Sequence, residues 1–197
     1  ADLYKAIELD FKKSKFDTYT TELAPVYIEI KEAIRKIEKW TKTRKVRTNL
    51  VNLPAKSYII PEPLGVSLII GAWNYPYNLT FSPVVAAIVA GCTVVLKPSE
   101  LASNTSAVIH KIISNNFPTK YFAVVEGGVF ETQELLKQKF DKIFFTGSVA
   151  VGKIVYQEAA KNLIPVTLEL GGKSPAFITK NCNIAISAKR LIWAKFL

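Results

Sequence analysis

From Gly65 onward the chain keeps one rhythm: a short run of β-branched and apolar residues, a helical pattern, then the next run. The runs are VSLIIGAW from Val66, TVVL from Thr93, FAVVE from Phe122, KIFFT from Lys142 and VTLEL from Val166. Near-continuous apolar strands separated by single helices point to a parallel sheet. Parallel strands need long crossovers, and helical crossovers cover both faces of the sheet. The expected fold class is therefore α/β, a doubly wound parallel sheet. The helices between the strands are expected over about Asn78 to Ala90, stopped by Gly91, and from the capping candidates Ser103 and Asn104 to just before Pro118. Two more are expected over Glu131 to Lys139 and Val149 to Lys161.

Upstream of this rhythm, residues Leu3 to Trp40 read as two helices, with Pro25 tolerated in the first turn of the second. Leu23, Val26, Tyr27, Ile30, Ala33, Ile34, Ile37 and Trp40 recur at helical spacing and form the expected core-facing stripe. The pattern loosens from Thr43 to Pro63 into a Pro-containing arm with extended pieces such as YII, Tyr58 to Ile60. The net charge of +10 raises a nucleic-acid function. Its densest source, Lys31 to Arg47, lies largely on the wet side of that helix, and no nucleic-acid-binding motif accompanies it, so no nucleic-acid partner is expected.

With 49% apolar residues the chain can bury a real core, yet its longest nearly apolar run, Pro83 to Leu96, is too short to span a bilayer. No secretory leader and no membrane anchor are visible, and the expected location is cytoplasmic. The cysteines Cys92 and Cys182 and the single histidine, His110, have neither disulfide-framework nor metal-ligand spacing, so no metal site is expected.

In an open parallel sheet, ligands bind where the strands end. The five strand ends run into WNYP (Trp73 to Pro76), KPSE (Lys97 to Glu100), EGG (Glu126 to Gly128), TGSVAVGK (Thr146 to Lys153) and ELGGKSP (Glu169 to Pro175), and all five are expected to meet at one rim. Asn74 reads either as a turn former or as a site amide, and Lys97 with Glu100 as a surface ion pair or a ligand clamp. Glu169 is flanked by apolar residues and followed by two glycines. Desolvation there would raise its pKa and suit a general base.

Gly147, Gly152 and Lys153 match the G-x-x-x-x-G-K of a phosphate loop, but the next residue, which should be a Ser or Thr to hold magnesium, is Ile154. No G-x-G-x-x-G fingerprint is present either. What remains is a glycine-flanked turn that delivers a helix N-terminus, whose free N–H groups and partial positive charge favour a phosphate.

GAWNYP, KPSELAS, EGG, FFTGS and TLELGGKSP, in this order, resemble the NAD(P)-dependent aldehyde dehydrogenase superfamily. VVAAIVAGCTVVLKPSELASNTSAV and FDKIFFTGSVAVGKIV resemble most its class 3 and fatty-aldehyde branch. The resemblance implies an atypical Rossmann-like sheet that holds NAD or NADP, with N-terminal helices over 1–42, an oligomerisation arm over 43–64 and a dinucleotide-binding domain over 65–197. It implies that Lys97 and Glu100 address the adenosine ribose and that the turn of Gly147, Ser148, Val151 and Gly152 receives the pyrophosphate. Trp73, Leu170 and Gly171 are implied as further cofactor-contacting positions, and Lys153 becomes an ordinary helix cation. Asn74 matches the amide that stabilises the oxyanion, and Glu169 the carboxylate that activates water or the thiol.

Family chemistry implies thiolate attack on an apolar aldehyde, hydride transfer to nicotinamide, thioester hydrolysis to the acid, and a homodimer. The family's nucleophilic cysteine, in a GQ-x-C context, lies farther beyond this glutamate than the chain runs, and neither Cys92 nor Cys182 matches it. The expectation is that these residues alone are inactive. The alternatives are a nucleotide-binding or assembly module without catalysis, or an ATP-binding phosphotransferase.

Overall fold

The computed structural model describes residues 1–196. In the arm, β1 (Arg44–Val46) and β2 (Ser57–Ile59) pair antiparallel. The expected parallel sheet is present and contains β3 (Val66–Ile70), β4 (Thr93–Lys97), β5 (Phe122–Val124), β6 (Lys142–Gly147) and β7 (Val166–Leu170). Its order is β5-β4-β3-β6-β7. The chain starts in the middle, builds outward through β4 and β5, and then returns to the other side of β3. The reversal lies between β3 and β6, where a doubly wound sheet opens a crevice.

Neighbouring residues of one strand serve opposite cores, as a period of two requires. Ile69, Val94, Leu96 and Phe122 pack with Val84 of α4 (Asn78–Val89) and with Ile109 and Ile113 of α5 (Ser103–Asn116). Leu68, Ile70, Ile143 and Phe145 pack on the other face with Leu136 of α6 (Val129–Leu136) and Val155 and Ala159 of α7 (Val149–Ala160).

The N-terminal region differs from the two expected helices. It contains α1 (Asp2–Phe11), a single turn α2 (Lys15–Thr18), a π-helical turn Tyr19–Leu23 and the long α3 (Ala24–Thr41). Pro25 does sit in the first turn of α3. Having no N–H, it cannot donate to the carbonyl four residues back, that of Thr21; Asn78 Nδ2 donates there at 3.3 Å. The expected buried stripe of α3 is only partly buried. Leu23, Val26 and Ala33 are covered, but Tyr27, Ile34, Ile37 and Trp40 are exposed, because α3 packs against α4 and no other described element covers its far end. A last helix, α8 (Ile184–Phe196), has no counterpart in the sequence expectations. Its start is marked by Asn183, whose Oδ1 accepts the Ile186 N–H at 3.1 Å.

Two carboxylates from the N-terminal helices fix the sheet's helices at their N-termini. Glu22, in the π turn and fully buried, accepts the N–H groups of Tyr77 and Asn78 at 3.1 Å each with Oε2, while Oε1 pairs with Lys13 Nζ at 2.8 Å. Asp10, at the end of α1, accepts from Asn104 N (3.1 Å), Thr105 N (2.8 Å), Asn104 Nδ2 (2.8 Å) and Thr105 Oγ1 (2.7 Å). The local caps expected for α5, Ser103 and Asn104, are thus replaced by a remote one: Asn104 donates instead of accepting, and no side chain of its own segment caps the helix.

Burial pushes the Asp10 carboxyl up, but the hydrogen bonds from Asn104 and Thr105 outweigh it and hold it below the usual carboxylate value. With the folded value below the unfolded one, the contribution of Asp10 to stability is complete above the ordinary carboxylate range. It is lost as pH falls through the depressed folded value. Asp10→Ala is expected to lower stability in urea by about 1 kcal/mol at neutral pH, the gap to the parent closing as pH drops below ~4. Glu22→Ala removes one partner of a buried pair and strands two N–H groups, and a loss of about 3–5 kcal/mol is expected in the same titration.

Candidate functional site at the rim of the sheet

Four strand ends converge on one cavity of about 1720 Å³. That exceeds the ~300–1,000 Å³ of ordinary small-ligand pockets. Across the rim, in sheet order, come Lys97 and Glu100 after β4, Trp73 and Asn74 after β3, Gly147 and Ser148 at the end of β6, and Glu169 to Gly171 at the end of β7. Three strand spacings of ~4.8 Å put the two outer groups roughly 14 Å apart. Val151 also lines the cavity, so every site residue expected from the sequence does so except Gly152.

Gly152 is buried behind the cavity wall. A Cβ there would lie 2.7 Å from Leu170 Cδ2, so the missing side chain lets the first turn of α7 press onto the end of β7. The fifth strand end departs from the expectation. Glu126 accepts from Ser106 Oγ at 2.9 Å and meets His110 Nδ1 at 2.7 Å, which ties the end of β5 to α5 and away from the cavity. Only the following helix reaches the rim, through Val129, Thr132 and Gln133.

The side chains sort by strand parity. Leu170 faces α7, and by alternation its neighbour Glu169 points to the opposite face, the side of α4 and α5. Glu169 stands opposite Thr146 in the β6–β7 register. The desolvation expected for Glu169 is not found. Strand β7 is the edge of the sheet and its last two residues are exposed, so the flanking apolar residues do not enclose the carboxylate.

Lys97 reverses the other way. It is no surface residue: its ammonium is almost fully buried, donates to the Pro98 carbonyl at 2.8 Å and pairs with Glu100 Oε2 at 3.2 Å, while Glu100 remains half exposed. A buried cation held between a carbonyl and a half-exposed carboxylate at the mouth of a cavity is a directed group, because its charge is little screened there.

Four helices connect successive strands of this sheet, and their N-termini differ; α8, after β7, starts on the neutral Asn183 but contributes no described residue to the cavity. Glu22 occupies that of α4 and Asp10 that of α5. At α6 the Glu131 carboxylate turns back to accept the Gly128 N–H at 2.6 Å, and backbone hydrogen bonds hold its carboxyl below the usual range. Of the four, only α7 has no carboxylate. Its cap is the neutral hydroxyl of Ser148, which accepts the Val151 N–H at 3.3 Å. The N–H groups of Val149 and Ala150, for which a helix offers no acceptor of its own, remain at an exposed helix start with its partial positive charge. Lys153 lies on the exposed side of α7 and does not line the cavity, whereas Ile154 does. The phosphate-loop lysine is therefore not aimed at the turn.

The profile of the aldehyde dehydrogenase family matches residues 2–197. The chain belongs to the aldehyde dehydrogenase family. It is 47% identical over 196 residues to aldehyde dehydrogenase family 3 member A2 of Pongo abelii, a match covering 100% of this chain and 40% of that protein. It is 46% identical over 193 residues to the dimeric NADP-preferring aldehyde dehydrogenase of Mus musculus, covering 98% of this chain and 43% of that one. The chain thus spans about two fifths of the length of these curated relatives. Among solved structures, the substrate-bound state of Staphylococcus aureus AldH superposes with a TM-score of 0.96 at 47% identity, over 99% of this chain and 43% of that one. The strand-end segments on which the aldehyde dehydrogenase resemblance rested are the ones that build the cavity, with the exception of EGG.

The carboxylate plugs Asp10 and Glu22, and the Lys13 ammonium paired with Glu22, escaped sequence reasoning, since their partners lie 94, 55 and 9 residues away. Glu131 had a legible signal in G-G-V-F-E, an acid three residues after the turn.

A Cβ on Gly71 would lie 2.3 Å from Thr80 Oγ1 and 3.3 Å from its Cβ, so the absent side chain is what lets α4 close under the end of β3. On Gly171 it would meet open space. Gly71→Ala is expected to cost about 1–3 kcal/mol in denaturant unfolding, and Gly171→Ala less than about 0.5 kcal/mol.

Proposed function

We propose that this chain is the dinucleotide-binding part of an NAD(P)-dependent aldehyde dehydrogenase that oxidises apolar, fatty or aromatic aldehydes to carboxylic acids. The observation that carries the reading is the contrast among helix N-termini. Among the four helices that connect successive strands, carboxylates block three and would repel a phosphate, while the one without an acid opens on the cavity.

In this reading the pyrophosphate lies against the first turn of α7, at Gly147, Ser148 and Val151, with Leu170 and Gly171 beside it. Gly152 keeps that turn against β7. Lys97 and Glu100 take the adenosine ribose hydroxyls, the ammonium as donor and the carboxylate as acceptor. Trp73 borders the same crevice. The bound cofactor, NAD or NADP, would supply the hydride acceptor. The Asn74 carboxamide, exposed at the rim, would donate to the oxygen that gains charge when a thiolate adds to the aldehyde. The Glu169 carboxylate would take the proton of the attacking water or thiol.

Neither thiol of the chain serves as that nucleophile. Cys92 is buried, and neither it nor Cys182 lines the cavity. We place the nucleophile outside these residues and expect the chain alone to bind dinucleotide without oxidising aldehyde. The arm, residues 43–64, is assigned to pairing in a homodimer, because it exposes Leu50, Val51, Tyr58, Ile59 and Ile60 and the Mus musculus relative is named dimeric. A reducing, cytoplasmic setting accords with two free cysteines. No helix among the described residues is long and apolar enough to cross a membrane.

The test is a fluorescence titration with NAD and with NADP on the Trp40→Phe background, which leaves Trp73 as the indole lining the cavity. Saturable quenching is expected, weakened about 10- to 100-fold by Lys97→Ala and unchanged by Lys153→Ala. Magnesium-dependent ATP binding that Lys153→Ala abolishes would instead establish the phosphotransferase reading.

A further inference from the structure

The loop that carries Asn74 is held by the N-terminal helices. Asn74 stands at the rim, exposed, and its carboxamide makes no hydrogen bond to another described residue, so its aim depends on the backbone beneath it. That backbone is gripped from below. Tyr77 N and Asn78 N both donate to the buried carboxylate of Glu22, Asn78 Nδ2 donates to Thr21 O, and Leu79 N closes the turn on Tyr75 O at 2.9 Å. Pro76 has no N–H, so every backbone donor from 76 to 79 is accounted for.

The grip extends to the residue next to Asn74. Lys13 Nζ lies 4.2 Å from the centre of the Tyr75 ring while pairing with Glu22 Oε1 at 2.8 Å. One ammonium thus links the buried carboxylate to the ring. The π turn that contains Glu22 matters here. One extra residue in the turn rotates the following side chains, and such insertions serve to re-aim a group. Glu22 and the Thr21 carbonyl both reach the first turn of α4.

We propose that Lys13 and Glu22 are positioning residues for Asn74: the pair fixes the Trp73–Tyr77 loop so that the Asn74 amide is pre-aimed at the oxyanion. The proposal rests on the dehydrogenase reading above. Glu22 touches no substrate; it acts through the backbone of Tyr77 and Asn78, and Lys13 acts through Glu22 and Tyr75. A displaced amide would weaken an interaction made in the transition state and leave ground-state binding alone, which lowers kcat and kcat/KM together at constant KM. The dinucleotide groups Lys97 and Ser148 lie on other strand ends and are unaffected.

The test uses the aldehyde-oxidising protein that carries this chain, with Lys13→Met, Lys13→Arg, Asn74→Ala and the double variant Lys13→Met/Asn74→Ala. Lys13→Met keeps the stem of the side chain and leaves Glu22 Oε2 bonded to two N–H groups, but it takes the cation from a buried carboxylate, so its urea unfolding is measured alongside and kinetics are read under conditions where the variant is folded. The expected result is a fall in kcat of about 10- to 100-fold for Lys13→Met, with aldehyde KM and dinucleotide Kd within about twofold of the parent. Recovery is expected in Lys13→Arg, as is no further loss in the double variant beyond Asn74→Ala alone.

Amide hydrogen exchange on this chain gives a second readout. Tyr77 and Asn78 should lose protection in Lys13→Met while Ile143 to Phe145 of β6 do not. Additive losses in the double variant, a KM or Kd that moves with kcat, or unchanged exchange at Tyr77 and Asn78 overturns the positioning role. If Asn74→Ala itself leaves kcat unchanged, the oxyanion reading falls and takes the proposal with it, a result distinct from the other three.

Discussion

The structure depends on a fully buried carboxylate. Glu22 has Lys13 on one oxygen and the first turn of α4 on the other, and with Asp10 on α5 it joins the N-terminal helices to the sheet. An ionised group in such a place is tolerable only when each lone pair has a partner, and here the partners include the positive end of a helix. The same contacts decide chemistry elsewhere. By occupying two helix starts, and with Glu131 occupying a third, the acids leave α7 as the one helix between successive strands whose start carries no carboxylate. The charge at the rim is thus set partly by where the fold places its own carboxylates.

The sheet supplies the second half of that logic. Its strand order reverses between β3 and β6, so the segments with the most polar character after β4, β3, β6 and β7 face one hollow, while β5, on the outer edge, turns its glutamate toward α5. Period-two alternation then divides the work. Leu170 lies against the first turn of α7, and Glu169 lies on the opposite face, the one that α4 and α5 cover. The alternation of a five-residue strand thus puts an apolar and a charged side chain on opposite faces of the sheet without any special backbone.

Two glycines in this frame act by absence. Gly71 admits Thr80, and Gly152 admits Leu170, so the helices on the two faces of the sheet close against the strand ends at the points where the site lies. The Thr80 hydroxyl is buried with no hydrogen-bond partner among the described residues.

Much of the fold was legible because its signals are local. The five strands, α4, α5, α6 and α7 follow from runs of β-branched residues, Gly91, Pro118 and the spacing between them, and the ordered strand-end segments carried the aldehyde dehydrogenase resemblance. The turn at Gly147 to Val151 could be read as a helix start without magnesium from Ile154 alone. What the sequence could not decide depends on distance and on cover. The cap of α5 comes from Asp10, 94 residues earlier, and not from Ser103. The stripe of α3 stays partly open because burial depends on which element arrives above it, not on helical period. Glu169 is exposed because β7 is an edge strand, and Lys97 is buried because β4 is not. Residue types and their periods determined which segments could be strands and where their ends would fall. Only the tertiary arrangement decided which of those ends share a cavity and which charges lose their water, because desolvation and long-range pairing belong to neighbours that the linear order does not name.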